Sequence, residues 1–316
     1  MSRGIQAHAK GSLLGKSYTD SPQTDLHRMR SQRLLCGDLG RREIMTEFEN
    51  IVIGKNSIPS LIITIILMIA IPVIFFIYWR RRHKEQTNIS WFIAGAVGFI
   101  LSARVLELGV HYICIIANNP VSRFINGNTI AFVLYGIMMA GVFEECGRYI
   151  VLKNIMKKNR TRENAVFYGI GHGGIEILAV ILPSIITNLV VAIMFSRGSV
   201  EDALNALKIT EKNAAAALPS IQAAAVFDYG MMAANLIERL FAMLLHIGLT
   251  VIVYYGVITA KKGFLPLAII LHMLMDTFPA LYQRGAVPLW SVEIWAALWT
   301  VVIVFIAVRR YQAMKK

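Results

Sequence analysis

Charge is what this sequence has least of. Of its 316 residues only 16% are Asp, Glu, Lys or Arg, while 56% are hydrophobic, and the mean hydropathy is +0.57. A soluble domain carries about 25% charged residues and roughly 45–50% apolar ones. The deficit excludes an ordinary soluble enzyme, and the hydrophobicity excludes a chain disordered throughout. Cysteine is scarce as well: Cys36, Cys114 and Cys146 are odd in number and scattered, which leaves neither a disulfide framework nor a CxxC metal site. No HExxH motif and no internal repeat is present.

What charge there is lies segregated. Residues 1–50 hold 8 Lys/Arg and 6 Asp/Glu and lack an apolar stretch long enough for a signal peptide, so they read as a polar, disordered tail preceding a multi-span domain over 51–316. Met45, just before the first apolar run, is an alternative start. The net charge of +13 comes from basic clusters beside apolar runs, at 80–84, 153–162, 261–262 and 309–316. That pattern belongs to the cytoplasmic loops of membrane proteins and excludes nucleic acid as the partner.

Seven apolar segments, near 58–79, 90–117, 128–152, 164–195, 233–260, 264–282 and 287–308, each approach the ~20 residues a membrane helix needs. The fold class is therefore all-α, a polytopic membrane bundle of about seven helices. The fourth segment is too long for one straight span, and Pro183 is placed to kink or break it. Basic loops alternate with charge-poor ones along the chain, which predicts an integral protein of the plasma membrane with its N-terminus outside and its C-terminus cytoplasmic. In the long loop at 196–232, the capping-box spacing of Ser199 and Asp202 predicts a short surface helix, and the alanine run at 214–217 is expected to stop at Pro219.

Against this background several ionisable residues stand where they are expensive, since a charge at the centre of a membrane helix costs roughly 2.5–3.5 kcal/mol on insertion scales. The second span holds Arg104, Glu107 and His111; the third holds Glu144, Glu145 and Arg148; the fourth holds His172 and Glu176. The fifth holds Glu238, Arg239 and His246, and the sixth His272 and Asp276. Residues four apart share a helix face, which pairs Glu144 with Arg148, His172 with Glu176, His272 with Asp276 and Glu107 with His111; Arg148 also reaches Glu145 at a spacing of three. At ~1.5 Å per residue, Glu144 lies about 14 Å from the basic-loop end of its span, and His172 and His272 about 12 Å from theirs, whereas His246 lies roughly 21–22 Å deep. One carboxylate and two imidazoles from three spans thus share a level. Plain packing is the competing reading for some of the others: Glu145 with Arg148 as a helix-end ion pair, Glu107 with His111 as a packing network, Glu238 with Arg239 as a capped interfacial end, Cys146 as a small contact residue, Tyr168 as an anchoring aromatic. Glycines 169, 171, 173 and 174 around His172 let backbones, or a substrate chain, come close.

Glu144-Glu145-x-x-Arg148, Tyr168-x-x-x-His172 and His272-x-x-x-Asp276 resemble, in order, the three motifs of the CAAX-protease-like (Abi) glutamic intramembrane proteases. The stretch from Glu144 to Glu176 with its GHGGIE segment, followed by Glu238-Arg239 and His246, resembles the YhfC family of membrane peptidases more closely, over about residues 46–310. The resemblance implies an intramembrane endopeptidase acting on a membrane-embedded or lipid-anchored peptide. Glu144 would serve as general base with His172 polarising the water, Glu145 as its orienting neighbour, and His272 facing the oxyanion. Arg148, Glu176, His246 and Asp276 would support them. No cofactor is expected on this reading. A metal-dependent protease is the alternative, with zinc on Glu144, His172 and His272; a proton-coupled transporter, which also buries Glu, His and Arg at mid-membrane, is the alternative of another class. The level of these groups places the cleft on the cytoplasmic side.

Overall fold

A computed structural model describes residues 46–210 and 212–314; the predicted tail at 1–45, and with it the alternative start at Met45, lies outside the described residues. Among the described residues, seven helices are long and apolar enough to cross a membrane: α1 Ser57–Arg82, α2 Ile89–Ile116, α3 Thr129–Ile155, α4 Arg162–Arg197, α5 Tyr229–Ile258, α6 Phe264–Gln283 and α7 Leu289–Ala313. No strand occurs among them. Large apolar side chains such as Ile66, Ile74, Val105, Phe124, Ile130, Ile294 and Val301 stay exposed on the outside of the helices, the surface a lipid environment requires. The chain is an integral membrane protein of the polytopic helical class.

Short polar side chains set most of the helix starts. Asn88, Asn128, Thr161 and Asp228 each accept a hydrogen bond from a first-turn backbone N–H, at 2.9 Å from Ser90, 3.0 Å from Ala131, 3.1 Å from Asn164 and 2.9 Å from Met231. The predicted break in the fourth span takes the form of a π-helical turn over Ile177–Ile181, directly before the segment Leu182–Arg197 that carries Pro183 in its first turn. The missing N–H of Pro183 is accommodated there, so α4 changes register without ending. Pro219 does not stop the alanine run: the helix Ala214–Val226 passes through it. Residues 46–51 and 200–218 form a separate small unit, in which the surface helix predicted after Ser199 is present as Val200–Ala206.

The first half of α4 lies at the middle of the larger unit, with every residue from Glu163 to Gly174 buried. It packs most extensively on the first half of α2 and on α5; α3 pairs with α6, and α7 with α5. Glycine makes the central contacts possible. A Cβ on Gly171 would stand 2.0 Å from the Phe92 carbonyl oxygen, and one on Gly95 2.1 Å from that of Tyr168, so α2 and α4 touch backbone to backbone. Gly169 meets the backbone of α5 in the same way, with a Cβ falling 2.6 Å from the Ile247 Cα. The glycine run around His172 therefore serves helix approach.

The two ends of the larger unit differ. At the basic-loop end Trp91, Leu152, Phe167, Tyr168, Leu249, Tyr254 and Ala268 form a closed apolar core. Hydrogen bonds tie that end together: the Trp79 indole N–H donates to the Glu163 carbonyl (3.0 Å), the Asn88 N–H to Asn164 Oδ1 (2.7 Å) and Tyr311 Oη to Glu163 Oε1 (3.0 Å). Toward the other end the helices part around a cavity of about 470 Å³.

Candidate active site in the bundle core

The site stands where the closed core meets the cavity. From α3, Glu144 and Glu145 point into different neighbourhoods, as the ~100° between successive helical residues requires. Glu144 Oε2 lies 3.0 Å from Nε2 of His172 on α4 and 3.8 Å from Nδ1 of His246 on α5. Glu145, wholly buried, pairs through Oε1 with the equally buried Arg148 and, at 2.9 Å, with Nδ1 of His272 on α6. The second nitrogen of His272, Nε2, faces Asp276 Oδ2 at 3.4 Å. The predicted pairing of Arg148 thus falls at the spacing of three, to Glu145.

His246 links the two groups. Arg148 Nη2 stands 3.0 Å from its Nδ1, and because a guanidinium only donates, Nδ1 is the acceptor and the ring proton sits on Nε2. That nitrogen faces Glu176 Oε2 at 2.5 Å, and Glu176 is held from its far side by Arg239 (Nη1 to Oε1, 3.4 Å), which also pairs with Glu238. The rings of His172 and His246 are 4.8 Å apart, and those of His246 and His272 5.7 Å. Phe99 packs edge-on against His172, whose Nδ1 has no partner.

The sequence placed His246 deeper than the others; the structure brings it level with them. A 30-residue helix of about 45 Å exceeds the ~30 Å hydrocarbon core, so steps counted from the end of α5 overstate depth. Arg239, absent from the expected set, is brought in by its seven-residue spacing from His246, two turns along the same face. That spacing was the available signal. Glu107, His111 and Tyr135 form a group of their own, with His111 Nε2 3.2 Å from Glu107 and its Nδ1 2.8 Å from Tyr135 Oη. Arg104 is exposed, and Cys146 makes no part of the site.

The donor set fits a metal ion. Glu144, His172 and His246 each offer one ligand atom, all within 4.8 Å of one another and all buried. Two of them, Glu144 Oε2 and His246 Nδ1, stand 3.8 Å apart, and a cation held there would take the Nδ1 lone pair that Arg148 Nη2 now engages, leaving Arg148 paired with Glu145. Glu176 behind His246 supplies the carboxylate that fixes the tautomer of a ligating imidazole. His272, expected among the ligands, stands outside this group because Glu145 and Asp276 engage both its nitrogens.

A seven-helix membrane bundle with a buried acid–imidazole group over a cavity defines a class of integral membrane proteins with a polar core. Residues 67–296 match the family described as YhfC intramembrane metalloprotease, and the chain belongs to that family. The membrane protein YhfC of Bacillus subtilis (strain 168), itself uncharacterized, is 29% identical over 237 residues, 74% of this chain and 88% of the relative. No solved structure matches the chain. The match supports the YhfC half of the expected resemblance. It also corrects the expectation of no cofactor: the family description names a metalloprotease, and the buried Glu144, His172 and His246 are the residues that could hold its metal.

Proposed function

We propose that this protein is a metal-dependent intramembrane peptidase, with Glu144, His172 and His246 holding a divalent ion, zinc being suited to one carboxylate and two imidazoles. The observation that carries the reading is the convergence of those three ligand atoms within 4.8 Å, with Glu144 and His246 lining the cavity. The ion would supply Lewis acidity to a scissile carbonyl and a water nucleophile at neutral pH. The surrounding residues then divide the remaining work. Glu176, held by Arg239, keeps the His246 proton on Nε2 and so leaves Nδ1 as the lone pair that could pass from Arg148 to the ion. Glu145 neutralises Arg148 and orients His272 through Nδ1. His272 lines the cavity, and its Nε2 proton, shared with Asp276 Oδ2, is the donor placed to meet an oxyanion or a departing amine. The closed core behind His172 excludes bulk water from the basic-loop side.

The substrate on this reading is a membrane-embedded or lipid-anchored peptide in the plasma membrane, and the alternating loop charges favour an N-terminus outside and a C-terminus in the cytoplasm. The test is metal analysis of the purified protein joined to cleavage of peptides from native membranes before and after chelation. Stoichiometric metal, cleavage lost on chelation and regained with added zinc support the reading. A metal-free protein that cleaves equally well with chelator present overturns it.

A further inference from the structure

The cavity lining comes from six of the seven spans, all but α1, with Glu176 and Ile181 supplied by the middle of α4 and the rest by one end of each helix. It takes His111 and Ile115 from the end of α2, Phe132, Tyr135 and Gly136 from the start of α3, and Glu238, Arg239 and Ala242 from the first half of α5. From the second half of α6 it takes Asp276, Pro279 and Gln283, and from the start of α7 Val292 and Ala296. In an antiparallel bundle these are the ends that meet the charge-poor loops at 117–128 and 284–288. The ends that meet the basic loops contribute no lining residue; there Trp91, Leu152, Phe167 and Tyr254 close the bundle.

Exposure follows the same axis. The carboxylate side chains open progressively in that direction: 0% exposed at Glu145, 9% at Glu144, 19% at Glu176, and 32% at both Asp276 and Glu238. Gln283, at the far end of α6, is exposed. From Glu144 to Tyr135 is nine residues, about 14 Å along α3. An extended peptide rising ~3.3 Å per residue covers that distance with about four residues.

We infer that the centre is entered from the charge-poor face, by an extended peptide segment that lays about four residues between the Glu144 level and the His111–Tyr135 pair at the mouth. This rests on the peptidase reading for the identity of what enters. The direction of entry rests on the cavity alone, and it replaces the cytoplasmic-side cleft expected from depth. With the orientation proposed above, the substrate class is a peptide whose cleavable segment is presented from outside the cytoplasm, in extended form. Gln283 and the His111–Tyr135 pair are then the polar groups it meets first, and Glu238, Arg239 and Asp276 flank it further in.

Single cysteines test this without any substrate. Gly136 suits the purpose, because it lines the cavity and a Cβ there meets nothing within 4 Å; Ala242→Cys, also in the lining, is the second position. Each is introduced into the full chain with Cys36, Cys114 and Cys146 replaced by alanine, in sealed vesicles, and treated with a membrane-impermeant thiol reagent from either side. Ala286→Cys marks the charge-poor face and Lys158→Cys the basic one. The expected result is labelling of Gly136→Cys and Ala242→Cys from the Ala286 side, with complete loss of labelling from the Lys158 side. Labelling from the Lys158 side, or no labelling of either cysteine while both markers react, overturns the inference. Neither outcome bears on metal content, so failure of the entry route and failure of the metallopeptidase reading are told apart.

Discussion

The two halves of this membrane bundle use the same kinds of residues to opposite ends. In the half toward the basic loops, glycine at 95, 169 and 171 brings backbones into contact, and tryptophan, tyrosine and asparagine seal the helix ends with hydrogen bonds. In the half toward the charge-poor loops, glycine at 136 leaves open wall, and tyrosine, histidine and carboxylates face a cavity. Glu144, His172 and His246 lie at the boundary. The closed half is packed core; the open half is a cavity, which on the proposed reading is the way in. A polar centre in lipid needs both, because its groups must be held against their insertion cost and still meet a substrate.

The sharpest way to break this division is at the boundary itself. His246→Ala and His172→Ala should each empty the metal site, read as loss of bound metal in the purified protein, with loss of cleavage. His272→Ala should retain the metal and lower turnover by about 10²–10³, the scale for removing one oxyanion donor. Equal metal loss in His246→Ala and His272→Ala would dissolve the distinction between ligand and donor.

The next effect separates the halves by their glycines. Gly171→Ala forces a Cβ to within 2.0 Å of the Phe92 carbonyl, so α2 and α4 must separate, at a cost of about 1–3 kcal/mol or more. Gly136→Ala meets open space and gains helix propensity, up to about 1 kcal/mol. Thermal unfolding in detergent should therefore move down for the first and stay level or rise for the second. A fall of the same size in both would mean that the open half is packed as tightly as the closed one.

Smaller still is the effect of the group that orients a ligand without touching the ion. Glu176→Gln should weaken metal affinity by about 10–100-fold, the usual range for a hydrogen-bond partner of a ligating histidine, while the fold keeps its thermal stability within about 1 kcal/mol. Competition with a chelator of known affinity reads the shift. An unchanged affinity would leave Glu176 as a wall residue of the cavity.

The fold was legible because hydropathy and loop charge act along the chain: seven apolar segments and alternating basic loops needed no tertiary information. Pro183 announced the disturbance in α4 but not its form, since a π-helical turn absorbs the missing N–H without ending the helix. The residues of the candidate site were legible as costly charges in spans, and helical spacing anticipated the pairs Glu145–Arg148, His272–Asp276 and Glu107–His111, but partners across helices were not legible. Which of Glu144 and Glu145 meets which histidine depends on helix rotation, and His246 was misjudged because depth was counted along α5 as if the helix stood upright with its end at the membrane boundary. The side from which the cavity opens depends on where helices part, and no single helix carries that information.

The smallest predicted effect sets two tyrosines against each other. Tyr135, in the open half, accepts or donates a 2.8 Å bond across helices with His111; hydrogen bonds between membrane helices average about 0.6 kcal/mol, so Tyr135→Phe should destabilise by that order. Tyr168, in the closed half, is wholly buried, and its hydroxyl has no partner and lies over Gly98, where an added Cβ would stand only 2.6 Å away. An unpaired buried hydroxyl carries a desolvation penalty that phenylalanine does not. Tyr168→Phe should therefore leave stability unchanged or raise it by up to about 1 kcal/mol, with metal content intact. The opposite signs are the test, read by unfolding the two variants side by side. If Tyr168→Phe is instead the more damaging substitution, or costs the protein its metal, the hydroxyl that begins the Tyr168-x-x-x-His172 motif reaches into the centre and the closed half is part of the chemistry as well as its wall.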